Sequence, residues 1–380
     1  MLVSEAFAGT QEAHERMTRD GYSIDDTPGV GALAPLRISL AGGGTDLPDY
    51  SAEFGGDVVA MAIDAEVRVR LTPAAEGTET RWSDRTGDLP GDPRLNELVA
   101  SVLSAHPEWG RRPWVVSSTS GARAGAGLGS SGAFLVALAA ALLPGRDPGE
   151  LARTAYDWEH RQAGRMVGPQ DSFASAHGGI GHISIATDGK VDVSPLSLHP
   201  RSAAWIDDNL LLFDTGNTRD AARVVAAAKQ DDERRGAAGG SGLPGRRIEQ
   251  LHGIRALVAP FREAIEDGAV ERFGPLLTAN WDLKTGLGRG ISTPRAEELL
   301  AGCLAAGADG GKLVGAGGGG YVLVSVPDEA RPAVRAAMAR AQAPELPFRL
   351  SRPGVRADDP TPGAPARRGR APLAVEKELS

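Results

Sequence analysis

One cysteine occurs in 380 residues, Cys303. Neither a disulfide framework nor a cysteine metal centre can form within the chain. The seven histidines show no metal-ligand spacing, so each is read as a satisfied or surface residue. Aromatics make up 5%. Alanine, glycine and arginine are abundant instead, which reflects a GC-rich genome rather than a functional bias. No apolar run reaches the roughly 20 residues that span a bilayer. The polar, acidic N-terminus does not resemble a signal peptide. The expectation is a soluble, cytoplasmic protein with no membrane partner. Excess positive charge is lacking too: the formal net charge of −8 argues against nucleic acid as a partner. Internal repeats and low-complexity blocks are absent. The length is enough for two domains with one core each.

What the chain does contain is a glycine–serine run, Gly125-Ala126-Gly127-Leu128-Gly129-Ser130-Ser131-Gly132. Trp114-Val115-Val116-Ser117-Ser118 before it reads as a strand. Residues 133–143 after it are apolar on every side and read as a buried helix, stopped by Pro144-Gly145. The first N–H groups of a helix lack partners and carry partial positive charge. Glycines let that backbone approach an anion closely. The arrangement predicts a phosphate cradle; an ordinary flexible loop capped by a serine is the plainer alternative. The serines can cap the helix or place a hydroxyl on a phosphate-bound magnesium ion. A dinucleotide fingerprint is excluded by Ser130 at its sixth position and by the lack of an acidic residue about 20 residues on. No segment fits a Walker A loop; the closest, Gly307–Leu313, has the wrong spacing and Leu313 where a hydroxyl belongs.

Along the chain, residues 1–30 read as a variable or disordered extension. Ala34–Ala41 is an alternating strand that runs into Gly42-Gly43-Gly44-Thr45-Asp46, a loop permitting close ligand approach with two polar groups at its end, or else a plain turn. Residues 58–63 and 66–71 read as two consecutive strands, 73–93 as loop and 94–106 as helix. Leu151, Ala155 and Trp158 lie at helical spacing with Glu159 beside them, and Gly164 stops that helix. Gly168–Gly179 is a loop with a short helical turn carrying Gln170 and Asp171, and 180–185 a strand. From about 190 the texture changes. Asn209–Phe213 is a strand ending at Asp214-Thr215-Gly216, followed by a helix from Thr218 to about Arg235. Two or three helices cover 247–308. Residues 312–314 and 321–326 are strands around the loop Gly315–Gly320. From Pro353 a Pro-, Arg- and Ala-rich tail is expected to be disordered.

The three glycine motifs in this order resemble those of the GHMP kinases, from about Pro35 to Val326. Pro35–Asp46, with Asp214–Arg219, Trp281–Lys284, Gly290–Ser292 and Gly311–Gly320, looks most like the heptose 7-phosphate kinases; L-fucose kinases share the first motif type. The resemblance implies an α+β fold of two domains. Residues 31–195 would form an N-terminal ATP-binding domain like domain 2 of ribosomal protein S5. Residues 196–352 would form a ferredoxin-like C-terminal domain, with 353–380 as tail. It also implies an ATP-dependent sugar kinase with magnesium, acting as a monomer or homodimer on a small sugar or sugar phosphate.

Carried over by motif, Asp171 is the catalytic aspartate and Arg37 helps the attacking hydroxyl lose its proton. Ser131 and Glu159 hold magnesium. Gly125, Gly127, Leu128, Gly129, Ser130, Ser131 and Gly132 bind ATP. Gly43, Gly44, Thr45, Asp46, Gln170, Thr215, Arg219, Lys284, Lys312, Gly317 and Gly318 face the substrate. Two departures stand out. Gly132 replaces the Ala or Ser of many relatives, and Pro169-Gln170-Asp171 lacks a lysine expected just before the aspartate. Other readings are a fucose or other sugar 1-kinase, or a non-catalytic regulator that binds sugar or nucleotide.

Overall fold

The computed structural model describes residues 29–75, 77–84, 93–105, 109–110, 112–123, 125–217, 243, 245–288 and 290–358. Helix expectations for 218–235 lie outside these residues. The elements in chain order are β1 (Val30–Ala41), α1 (Pro48–Phe54), β2 (Gly56–Pro73), β3 (Arg81–Asp84), α2 (Pro93–Ala105), β4 (Trp114–Ser120) and α3 (Ser130–Leu142). Next come α4 (Pro148–Asp157), a π turn (Trp158–Gln162), α5 (Gln170–His177), β5 (Ile180–Ile185), β6 (Val191–Pro195), α6 (Pro200–Asn209) and β7 (Leu210–Asp214). The chain closes with α7 (Gly245–Ala256), α8 (Val258–Asp267), α9 (Phe273–Thr285), α10 (Pro294–Ala305), β8 (Gly310–Leu313), β9 (Tyr321–Ser325), α11 (Arg331–Arg340) and β10 (Arg356–Ala357).

β1 and β2 form the spine of the first sheet. Its order is β10-β1-β2-β4-β3, with β5 pairing both β2 and β6. The two strands expected at 58–63 and 66–71 are one strand of 18 residues. Opposite them, Pro35 pairs with Glu66 and Leu36 with Ile63, so Asp64 and Ala65 bulge out of the ladder. Proline has no N–H to give a ladder, and Asp64 donates its own N–H to Arg349 O at 3.0 Å instead. The expected loop at 73–93 contains β3, which runs parallel to β4. Of the expected tail, residues 353–358 are described and carry structure: β10 adds an edge to β1, and Arg356 grips Glu66 with two bonds of 2.6 and 2.7 Å.

The second sheet has the order β7-β9-β8, all antiparallel. Residues 344–346 bond to the free edge of β7, through Asp214 N to Pro344 O and Leu346 N to Leu212 O. That gives the 4-1-3-2 order of a ferredoxin-like sheet. Side chains alternate faces along a strand. In β7, Leu210 and Leu212 therefore join the large core around β1, β2 and α3, while Leu211 and Phe213 join a second core with α7, α10 and α11. One strand thus fastens the two sheets to a shared interior. Among the described residues, the span 247–308 holds four α-helices and a 3-10 turn (Val270–Arg272) rather than two or three helices, and only Leu257 separates α7 from α8. Cys303 lies buried in α10, where burial pushes its thiol up to about 12.

Candidate active site

α3 is apolar all round and packs on β1, β2, α4 and α5. Its N-cap is Gly129, in the left-handed region at φ 73°, and no side chain caps it. The N–H groups of its first turn therefore have no partner within the helix and present partial positive charge. The loop before it is locked by a close backbone approach. A Cβ on Gly315 would lie 2.4 Å from Gly127 Cα, and one on Gly127 would lie 2.6 Å from Val314 O. Motifs two and three meet here, glycine on glycine. In the Gly315–Gly320 loop Gly318 donates its N–H to Ile291 O at 2.8 Å, and Gly317 lies against the same carbonyl. Gly125 opens the cradle as an exposed residue.

Two arginine–carboxylate pairs flank the cradle. Arg37 donates from Nε to Asp171 Oδ1 at 2.8 Å and places Nη2 2.6 Å from the same oxygen. It also donates to Gly127 O at 2.6 Å, and its backbone N–H reaches Leu128 O at 3.0 Å. Asp171 lies in the first turn of α5. Gly132 brings it there: a Cβ at 132 would come 2.8 Å from Asp171 Cβ. On the other flank, Ser131 Oγ donates to Glu159 Oε1 at 2.5 Å. The hydroxyl is thus spent on Glu159, not on capping α3. Glu159 is buried, and the π turn that holds it widens the end of α4. Arg165 Nη1 lies 2.6 Å from both Ser131 Oγ and Glu159 Oε1.

Two hard oxygens converging on one positive charge fit a magnesium site. Among the described residues there is no cluster of three or more His, Cys, Asp or Glu able to hold a metal ion, so such a site would draw further oxygens from phosphate.

The first glycine motif forms the third wall. Asp46 accepts from Gly44 N at 3.0 Å and from Gln170 Nε2 at 3.1 Å. Burial, with the charge of Asp171 adding, pushes its carboxyl up to about 6. Ser39 Oγ and Gln170 Oε1 are buried without a hydrogen-bond partner among the described residues. A Cβ on Gly43 would lie 2.8 Å from the first and 3.7 Å from the second. Sequence reasoning missed Ser39; its signal was its place on the same face of β1 as Arg37. It missed Arg165 as well, for which the sequence offers no signal.

The remaining sequence candidates divide. Thr45 is fully buried and bonds Gly42 O and Asp57 O, so it ties the loop instead of facing a ligand. Thr215 does the same, accepting from Gly320 N and donating to Gly320 O. Lys312 is sealed against Leu40 O and Asn280 Oδ1, both at 2.9 Å, joining β8 to β1. Burial, then the charges of Lys284 and Arg37, hold its amine well below the usual range. Lys284 donates to Gly315 O, and burial followed by Arg37 lowers it to about 8. Arg219 lies outside the described residues.

A backbone anion cradle between a hard-oxygen pair and an arginine-held carboxylate is suited to phosphoryl transfer. Comparison with known proteins makes the class definite. Residues 97–179 match the N-terminal domain of GHMP kinases and 261–344 match their C-terminal domain. The chain thus carries both domains of the GHMP kinases, and its relatives are kinases that transfer phosphate to a hydroxyl group. D-glycero-alpha-D-manno-heptose 7-phosphate kinase of Campylobacter jejuni is 24% identical over 85% of this chain and 96% of its own. Galactokinase of Mycobacterium bovis is 28% identical over 78% and 89%. Among solved structures, a D-glycero-D-manno-heptose 1-phosphate kinase from Bacteroides thetaiotaomicron superposes with a TM-score of 0.66 at 22% identity, covering 87% of this chain and 99% of that one. The fold is that of the GHMP kinases. No helix among the described residues is long and apolar enough to cross a membrane.

Proposed function

We propose that this sugar kinase phosphorylates the anomeric hydroxyl of a sugar phosphate, with D-glycero-D-manno-heptose 7-phosphate going to the 1,7-bisphosphate. The observation that carries the mechanism is the Arg37–Asp171 pair at the mouth of the cradle. Both arginine contacts fall on Asp171 Oδ1, and the side chain is 27% exposed. Asp171 takes or orients the proton of the sugar hydroxyl, while Arg37 fixes its carboxylate and balances its charge. The α3 N-terminus and the 125–132 loop hold the phosphates of ATP. Magnesium, when bound at Ser131 and Glu159, supplies charge neutralisation on those phosphates.

The sugar reading rests on the wall built from motif one. Ser39 Oγ, Gln170 Oε1 and the Asp46 carboxyl are a donor–acceptor set for a polyhydroxylated ligand. The 24% identical relative names the heptose. Lys284, at about 8, titrates close to neutrality and, with Arg219, is the candidate for the substrate phosphate. Lys312 serves to shape that wall.

The test is kcat/KM with ATP for heptose 7-phosphate, the free heptose, fucose and galactose, with the product mapped by phosphorus NMR. The expected result is a clear preference for heptose 7-phosphate and phosphate on C1. Equal values for the phosphorylated and free sugars, or preference for fucose or galactose, would overturn the substrate and leave the kinase.

A further inference from the structure

Ser131 Oγ, Glu159 Oε1 and Arg165 Nη1 form a triangle with edges of 2.5, 2.6 and 2.6 Å. Magnesium binds oxygen at about 2.0–2.1 Å. An ion shared by these two oxygens on the side that Nη1 faces would occupy the space that Nη1 fills, and on the far side it would still set a second positive charge close to the guanidinium. Arg165 and the cation therefore compete for this pair. The backbone around Arg165 is fixed, with its N–H on Glu159 O and its carbonyl on His160 Nδ1, both at 3.1 Å. Any movement must then come from the side chain. Ser131 belongs to the cradle, so phosphates seated there come within reach of a guanidinium that leaves Glu159. Arginine forks onto phosphate with paired, charge-assisted bonds.

We propose that Arg165 is a gate on the metal site: it holds Ser131 and Glu159 closed to free divalent cation and yields them only when nucleotide phosphates take over its guanidinium. Metal loading then depends on nucleotide, and the empty enzyme does not collect cations. The proposal rests on Ser131 and Glu159 being the metal ligands, and the experiment separates the two ideas.

Manganese(II) is the probe, with free ion followed by electron paramagnetic resonance, with and without a non-hydrolysable ATP analogue. Without nucleotide, Arg165→Gln should bind manganese about tenfold or more tighter than the parent, because an opposing charge in direct contact is gone. Its affinity for the analogue should fall by about tenfold with the lost phosphate fork. Arg165→Met serves the same purpose if the glutamine variant fails to fold by circular dichroism. Glu159→Gln added to either variant should abolish the gained site. Equal manganese binding by the parent and both Arg165 variants without nucleotide overturns the gate. If Glu159→Gln alone still weakens manganese in the analogue complex, the ligand assignment survives that failure. A gained site that persists after Glu159→Gln overturns both.

Discussion

The two arginine–carboxylate pairs beside the cradle are chemically alike and are held in opposite ways. Arg37 rises from the middle of β1, and two contacts to the cradle backbone, at Gly127 and Leu128, fix it independently of Asp171. Its partner is the open one: Arg37 is 5% exposed and Asp171 27%. Across the cradle the order is reversed. Glu159 is the closed partner at 4%, and Arg165 reaches it from the irregular segment between the π turn and α5. A strand-mounted arginine presents a carboxylate to a ligand. A loop-mounted arginine covers one. On the proposed reading, the same ion pair serves a base on one side and a guarded metal ligand on the other. The difference lies in the backbone beneath it.

The sharpest way to break the comparison is to remove the charge of the open partner. Asp171→Asn should lower kcat by roughly 10²–10⁴, the size of a lost general base, with ATP analogue affinity retained. Activity within about twofold of the parent would show that Asp171 is only a counterion for Arg37.

A second test asks how far the field of Asp171 extends. Its charge adds to burial in raising Asp46 from 3.8 to about 6. A carboxyl raised in the folded state binds more protons there than in the unfolded chain, so stability falls as pH rises between those two values. The shift corresponds to about 3 kcal/mol at the usual 1.36 kcal/mol per unit. Unfolding free energies from denaturant titrations between pH 4 and 7 should drop less in Asp46→Asn than in the parent, by up to that amount. In Asp171→Asn, which removes only the second cause, the relief should be smaller. Parallel profiles for parent and Asp46→Asn would mean that the group titrates normally.

Much of this architecture is legible in the chain. The cradle and the buried α3 follow from local pattern, because glycines at a strand–helix junction and an all-apolar helix are local signals; Arg37 and Asp171 came only with the resemblance to the GHMP kinases. What was hidden depends on contacts distant in sequence. The continuity of β2 through its bulge relies on Arg349, and β10 exists only because β1 offers it an edge. The π turn inserts a wider step that a 3.6-residue period does not reveal, and it sets Glu159 against Ser131. The resemblance set Lys312 facing the substrate, yet β8 carries it inside, against Leu40 and Asn280. A charge count in sequence cannot separate a ligand-facing lysine from a buried tie.

Gly132 offers the mildest and most selective test, because it touches one pair and spares the other. The sequence made it a departure from the Ala or Ser of many relatives. In this fold a Cβ there would stand 2.8 Å from Asp171 Cβ and 3.1 Å from the backbone of Asp171 and Ser172. The obstacle is main chain as well as side chain, so α5 must shift away from α3. Overpacking of this kind costs about 1–3 kcal/mol. The shift would carry Asp171 off the cradle while Ser131, Glu159 and Arg165, on α3, the π turn and the segment after it, keep their places. Gly132→Ala should therefore lower kcat and the melting temperature together, yet leave manganese affinity in the nucleotide-analogue complex as in the parent. A parallel loss of manganese affinity would show that the two flanks move as one body, and that strand and loop mounting do not separate their roles.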